Sequence, residues 1–152
     1  MTRLIQALFS GMLFTFLIDV FLFVGIKIHY IDDHAIDLYY NILFADHQNI
    51  YIFSLFTIIL GFVITYVDNS KVSIIVIGSL FLLASSTFIT PIGKYIGELL
   101  LMQKNVIFKD KQHTYIGDSY YNGRKFITFY DYELKKVILL DKNRLLNKDI
   151  NK

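Results

Sequence analysis

One carboxylate interrupts a long apolar run. Asp19 is the single charged residue between positions 4 and 26, and a carboxylate in hydrocarbon costs at least about 2.5–3.5 kcal/mol. Such a group must turn toward polar neighbours. It can relay a proton or cation, or dock onto a basic residue of another membrane subunit. It can also sit as a neutral acid bonded to Ser, Thr or backbone of its own bundle. The later apolar runs at 50–67 and 72–92 contain no charged residue. The expectation therefore moves from a self-contained ion path toward an outside partner.

A second group of chemistry-bearing residues follows: His29, Asp32, Asp33, His34 and Asp37, with His47 further on. Imidazole and carboxylate together can bind Zn, Ni, Cu or Fe, which makes His29, Asp33, His34 and Asp37 candidate ligands. On a helix, Asp33 and Asp37 share a face at i, i+4, and His34 can join Asp37 at i, i+3. There is no His-Glu-x-x-His motif and no repeated spacing, and a metal site needs a definite ligand count and geometry. The plainer expectation is a solvated acidic loop. His113 stands alone.

Enzyme signatures are absent: the sequence has no Walker A loop, no Gly-x-Gly-x-x-Gly and no Gly-x-Ser-x-Gly. With no Cys among 152 residues, a thiolate zinc site, a disulfide framework and a Cys nucleophile are excluded. No cofactor and no catalysis are expected. A net charge of +2 is too small to argue for nucleic acid.

The elements that must position Asp19 are read from hydropathy. Apolar residues make up 55% and charged residues 18%, against about 45–50% and about 25% in soluble domains; mean hydropathy is +0.48. Three runs, 4–26, 50–67 and 72–92, have 23, 18 and 21 residues. About 20 helical residues cross a bilayer core, so three membrane helices are expected. The first is too long for the apolar core of a signal peptide. It is followed by Lys27-Ile28-His29-Tyr30 and not by a small-x-small cleavage site, so a retained helix is expected. Asp68-Asn69-Ser70-Lys71 predicts a tight hairpin between the second and third runs. Ile36, Tyr39, Tyr40, Leu43 and Phe44 predict an interfacial amphipathic helix near 34–45. Pro91 predicts a kink, with helix continuing to about Met102 and Lys94 facing Glu98 at i, i+4.

Each run carries small or polar residues at helical spacing. These are Ala7, Gly11, Thr15 and Asp19 in the first, and Ser54, Thr57, Gly61 and Thr65 in the second. Ser86, Thr90, Gly93 and Gly97 form the third set. In lipid, helices associate where small residues let backbones approach, so a compact bundle with these stripes inward is expected. Asp19, Gly11, Thr15, Gly61, Thr90, Gly93 and Gly97 are its candidate helix-packing and partner-contact residues.

From Lys104 the composition changes to Lys, Arg, aromatic and β-branched residues. Asn122-Gly123 between such runs is a strong hairpin signal. A two-residue turn there pairs Tyr121 with Arg124, Ser119 with Phe126 and Gly117 with Thr128. Residues 136–141 and 105–109 predict two further strands. The fold expected is a three-helix membrane domain over 1–103 and a small antiparallel β-meander over 104–152, with 145–152 frayed. A meander of this size is marginal alone, so it should lean on the membrane, on the third helix or on a partner. Tyr120, Tyr121, Arg124 and Lys125 are the candidate surface-contact residues. Tyrosine and basic residues suit lipid headgroups and protein partners.

Two charge signals oppose each other. The 29–49 loop has four Asp and no Lys or Arg, whereas Lys94, Lys104, Lys109 and Lys111 flank the tail. The positive-inside rule counts Lys and Arg, so the tail is expected in the cytoplasm and the chain in a bacterial inner membrane. The role expected is a non-enzymatic accessory, assembly or adaptor subunit, with the bilayer and other membrane subunits as partners. An ion or metal transport component using Asp19 and the His/Asp loop is an alternative.

The segment Pro91-Ile-Gly-Lys94-Tyr95-Ile-Gly-Glu98 resembles the Pro-x-x-Lys-aromatic-x-x-Glu segment at a helix end in immunity proteins of pore-forming bacteriocins. That resemblance covers eight residues and implies a multi-pass inner-membrane protein that blocks a pore-forming toxin by helix contacts. The family carries a further membrane helix after this segment, where this chain has its β-rich tail.

Overall fold

The computed structural model describes residues 2–146. It has five α-helices followed by a four-stranded antiparallel sheet. Helix α1 (Thr2–Ile26) runs directly into one π-helical turn at Lys27–Ile31. The joined rod of 30 residues is roughly ten residues longer than a bilayer core requires. A turn then closes it: the Ile36 amide donates to the Ile31 carbonyl at 3.0 Å, and Ala35 takes a positive φ of 51°.

That left-handed residue corrects the expected loop helix. The apolar spacing from Ile36 onward belongs to two pieces, a non-helical stretch at 36–39 and helix α2 (Tyr40–His47). Helix α3 (Ile50–Tyr66) follows at 85° to α2. Its amides at Tyr51 and Ile52 are capped by the Asn49 side chain, as an apolar helix start requires. Asn69 caps α4 (Ser70–Ser85) in the same way. By length and composition, Thr2–Ile31 and Ser70–Phe88 can cross a membrane, and the bent α2–α3 pair is a third candidate if counted as one span. The outward surface matches, since Leu4, Phe9, Leu55, Ile58, Ile74 and Leu82 are all exposed.

The main helix pair is α1 with α3, whereas α4 touches α3 only sparsely. The expected tight α3–α4 hairpin is therefore a loose one. Small residues close the α1–α3 pair. A Cβ on Gly11 would lie 2.0 Å from the Thr57 carbonyl oxygen, and one on Gly61 would lie 2.2 Å from that of Ala7.

No kinked helix runs through Pro91. A 3-10 turn at Ser86–Phe88 ends α4, and α5 (Thr90–Leu101) starts afresh with Pro91 in its first turn, where the missing N–H is not needed. The break changes the helical phase. Thr90 is exposed and Thr87 is fully buried. Thr87 fills the contact between Gly25 and Gly93, whose added Cβ atoms would lie 2.0 Å from its Oγ1 and 2.2 Å from its carbonyl oxygen.

Met102 alone links α5 to the sheet. Strands β1 (Gln103–Lys109), β2 (Thr114–Asn122), β3 (Phe126–Asp131) and β4 (Lys136–Asp141) lie in sequence order. The β2–β3 register differs from the expected one: Ser119 faces Phe129, Tyr121 faces Thr128 and Asn122 faces Ile127. Gly123 donates its amide to the Phe126 carbonyl at 3.0 Å. A two-residue I′ turn needs positive φ at both central positions, and no described glycine has one. A bulge between Ser119 and Tyr121 completes the shift. After β3, the Asp131 carboxylate accepts the Glu133 and Leu134 amides, an Asx turn.

One face of the sheet has its own core of Val106, Phe108, Ile127, Phe129, Leu140 and Leu145. Leu145 is buried, and the Leu146 amide donates to the Lys109 carbonyl at 2.8 Å. The chain therefore stays ordered through these two residues, which were expected to fray; residues 147–152 lie outside the described ones. The other face joins the upper end of α1 through a cluster of Phe23, Ile26, Tyr30, Ile31, Leu43, Leu101 and Tyr121.

Candidate functional site

Asp19 sits where α1 passes the α2–α3 corner. Its Oδ2 accepts a hydrogen bond from Gln48 Nε2 at 3.1 Å, and its side chain is partly exposed. It opens into a groove of about 260 Å³ between α1, α3 and α4, whose other walls include Thr15, Leu22, Ile52, Phe56 and Leu83. The hydroxyls of Thr15 and Thr57 are buried with no hydrogen-bond partner among the described residues. The groove thus offers a carboxyl, steadied by Gln48, on an otherwise apolar wall. A donor carried by an apolar helix fits that chemistry. A larger groove of about 580 Å³, walled by Phe9, Ser10, Met12, Leu13, Phe16 and Phe53, has no ionisable group and suits an acyl chain.

The His/Asp loop is not assembled around an ion. His29 Nε2 pairs with the Phe88 carbonyl at 2.9 Å, and His34 Nδ1 with the Tyr30 carbonyl at 2.8 Å. Asp33 accepts from Lys94 Nζ at 2.8 Å, and Asp37 is exposed. Among the described residues, no three His, Asp or Glu side chains converge as ligands. The four candidate ligands are drawn apart because three of them have structural partners.

Lys94, expected to face Glu98, instead reaches across to Asp33. Its ammonium holds the Asp33 carboxyl below the usual carboxylate range, by hydrogen bond first and charge second. A lowered pKa in the folded state means the pair contributes in full above the ordinary carboxylate value. That contribution is lost as pH falls through the lowered one. Both side chains are half exposed, so the stabilisation is small. Lys94→Ala is expected to return Asp33 to the ordinary range, read from the pH titration of its carboxyl carbon by NMR.

The four candidate surface residues divide. Tyr121 is buried, and its burial pushes the hydroxyl up to about 12. Tyr120 packs edge-on against His34, stacks on Tyr130 and accepts the Tyr30 hydroxyl on its carbonyl at 2.8 Å. Arg124 Nε and Nη2 both bond Asp46, at 2.9 and 2.5 Å to Oδ1. Lys125 is exposed. Three of the four therefore fasten the sheet to α2 and the end of α1, and Lys125 alone is free to meet a surface. Gln48, Thr87, Gly25 and Tyr30 were not singled out from sequence. Each has a partner at least 29 positions away, which local spacing does not show. Comparison with known proteins gives no matching family model, no matching curated protein and no matching solved structure.

Proposed function

We propose that this chain is a non-enzymatic accessory or adaptor subunit of a larger membrane complex, anchored by three membrane spans. A partner helix is taken up in the groove beside Asp19. The observation that carries this reading is the placement of Asp19: a carboxyl on an apolar wall, bonded by Gln48 and left open on the groove side. Helix α4 supports it as well. Ala84 is its single buried residue, and an added Cβ at Gly78 meets nothing within 4 Å. A helix so lightly packed can accept another beside it without repacking.

We place the chain in a bacterial inner membrane with the sheet in the cytoplasm. Residues 103–146 carry nine Lys or Arg against five Asp or Glu, and the positive-inside rule counts the former. The opposing signal of the acidic loop is weakened by its pairing: Asp32 bonds Lys27, Asp33 bonds Lys94 and Asp46 bonds Arg124. The test is pull-down of the tagged chain in mild detergent. A co-purifying membrane protein is expected with the wild type and is expected to be lost with Asp19→Leu. Unchanged co-purification after that replacement would remove the docking role from Asp19.

A further inference from the structure

We infer that the groove beside Asp19 takes one lysine side chain of a partner membrane helix, carried one to two turns inside the sheet-side end of that helix. The inference rests on the docking reading above and names the chemistry that docks. The groove holds about 260 Å³. A helix is about 10–12 Å across, so this space admits a side chain while the helix that bears it lies along the rim. Leu22, Ile52, Phe56 and Leu83 wall the space beside the carboxyl. Such walls suit a methylene stem with its charge at the tip. Gln48 Nε2 bonds Oδ2 at 3.1 Å. Among the described residues no donor reaches Oδ1, and no Lys, Arg or His pairs with the carboxyl. The Tyr40 hydroxyl turns to the Val20 carbonyl, at 3.4 Å.

An amide at position 19 would serve a neutral donor without the cost of a charge. Ionisable groups inside a membrane are costly and pair with one another, so the carboxylate calls for a cation. With Oδ2 taken by Gln48, one oxygen is clear. An ammonium needs one, whereas a guanidinium bonds a carboxylate through two parallel N–H groups. A second copy of this chain cannot supply the charge. Alongside, it brings its own Asp19 to that level, and the runs 50–67 and 72–92 carry no charged residue. Lys27 lies eight residues further on, about 12 Å along the helix, and is bonded to Asp32. The depth follows from the walls. Ile52 is in the first turn of α3, and Leu83 and Ala84 are in the last turn of α4. The groove therefore opens near the sheet-side ends of both helices. A lysine is cheapest to carry there, since its stem can lift the ammonium toward the interface.

The probe is a synthetic helix of about 21 Leu and Ala residues with one Lys five residues from an end. The full chain has no Cys, so Lys125→Cys on the exposed sheet surface gives a single label. Both are reconstituted in phosphatidylcholine vesicles, and association is read by energy transfer. The expected result is association several-fold stronger with the Lys helix than with the same helix bearing Leu there. Asp19→Asn keeps the shape and the bond from Gln48, and is expected to bring the two helices level. Asp19→Glu should retain the difference. Helices with a central Lys, or with Arg at the same place, should bind more weakly. Equal association of the Lys helix with wild type and Asp19→Asn overturns the inference, as does equal association of the Lys and Leu helices. A central Lys or an Arg that binds as well overturns the assigned depth or the choice of ammonium. Pull-down of the native partner separates this from the docking role. A partner lost with Asp19→Leu and kept with Asp19→Asn removes the lysine and leaves the docking, whereas one kept with both removes the docking as well.

Discussion

Gly61→Leu is expected to leave no stably folded helical domain in mild detergent, while Gly78→Leu melts like the wild type. The contrast follows from what the added carbon meets. At Gly61 it would lie 2.2 Å from the Ala7 carbonyl oxygen and 2.8 Å from the carbonyl carbon. These are backbone atoms inside a helix, so no rotamer change relieves them, and the two helices must move apart. Overpacking a core costs about 1–3 kcal/mol where side chains can adjust. Here they cannot, and more than about 3 kcal/mol is expected. Nothing hydrophobic closes the pair again, because lipid tails solvate Leu as well as another helix does. At Gly78 an added Cβ meets open space. Thermal melting of the two purified variants, followed by circular dichroism, separates them. Equal melting temperatures would mean that close α1–α3 approach does not hold this domain together. Gly11→Ala should behave like Gly61→Leu in milder form, since its Cβ would lie 2.0 Å from the Thr57 carbonyl oxygen.

That seam was legible in the sequence because both of its sides obey one rule. Ala7, Gly11, Thr57 and Gly61 are small and four residues apart, and within an unbroken helix such spacing means a shared face. The same rule misleads where the helix breaks. Counting fours from Ser86 reaches Thr90, but the 3-10 turn shifts the phase and puts Thr87 in the contact. The strands beyond Lys104 were legible from composition and turn residues, and their register was not. One bulged residue moves every pairing before it, and nothing in Ser119-Tyr120-Tyr121 marks a bulge. The Arg124–Asp46 bond spans 78 positions. Each residue alone reads as an ordinary surface charge, so a candidate surface contact became an internal tie. The opposed charge signals of loop and tail overlap in part. Asp33 and Asp46 of the loop pair with Lys94 and Arg124, so these two pairs are not independent votes.

The seam also sets the second large effect. Gly97→Val is expected to release the sheet from the helices while α1 and α3 stay paired. A Cβ at position 97 would lie 2.4 Å from Cβ and Cγ of Tyr30, and Tyr30 is fully buried. Its ring has no free direction, because the hydroxyl donates to the Tyr120 carbonyl at 2.8 Å and the ring face packs against His34. Moving the ring breaks that bond and removes one wall of the pocket around Tyr121. If α5 shifts instead, the sheet shifts with it, since one residue connects them. Either way the β2 contact is lost. Tyr30→Phe separates the two contributions. It keeps the ring and leaves the Tyr120 carbonyl unsatisfied, at a cost of about 1–3 kcal/mol. Gly97→Val should exceed that, because it removes the hydrogen bond and the packing together. Hydrogen exchange by mass spectrometry reads the difference. Protection over 103–146 is expected to fall modestly in Tyr30→Phe and severely in Gly97→Val, with protection of 7–15 and 55–65 unchanged in both. Full protection of the strands in Gly97→Val would show that the sheet stands without α1.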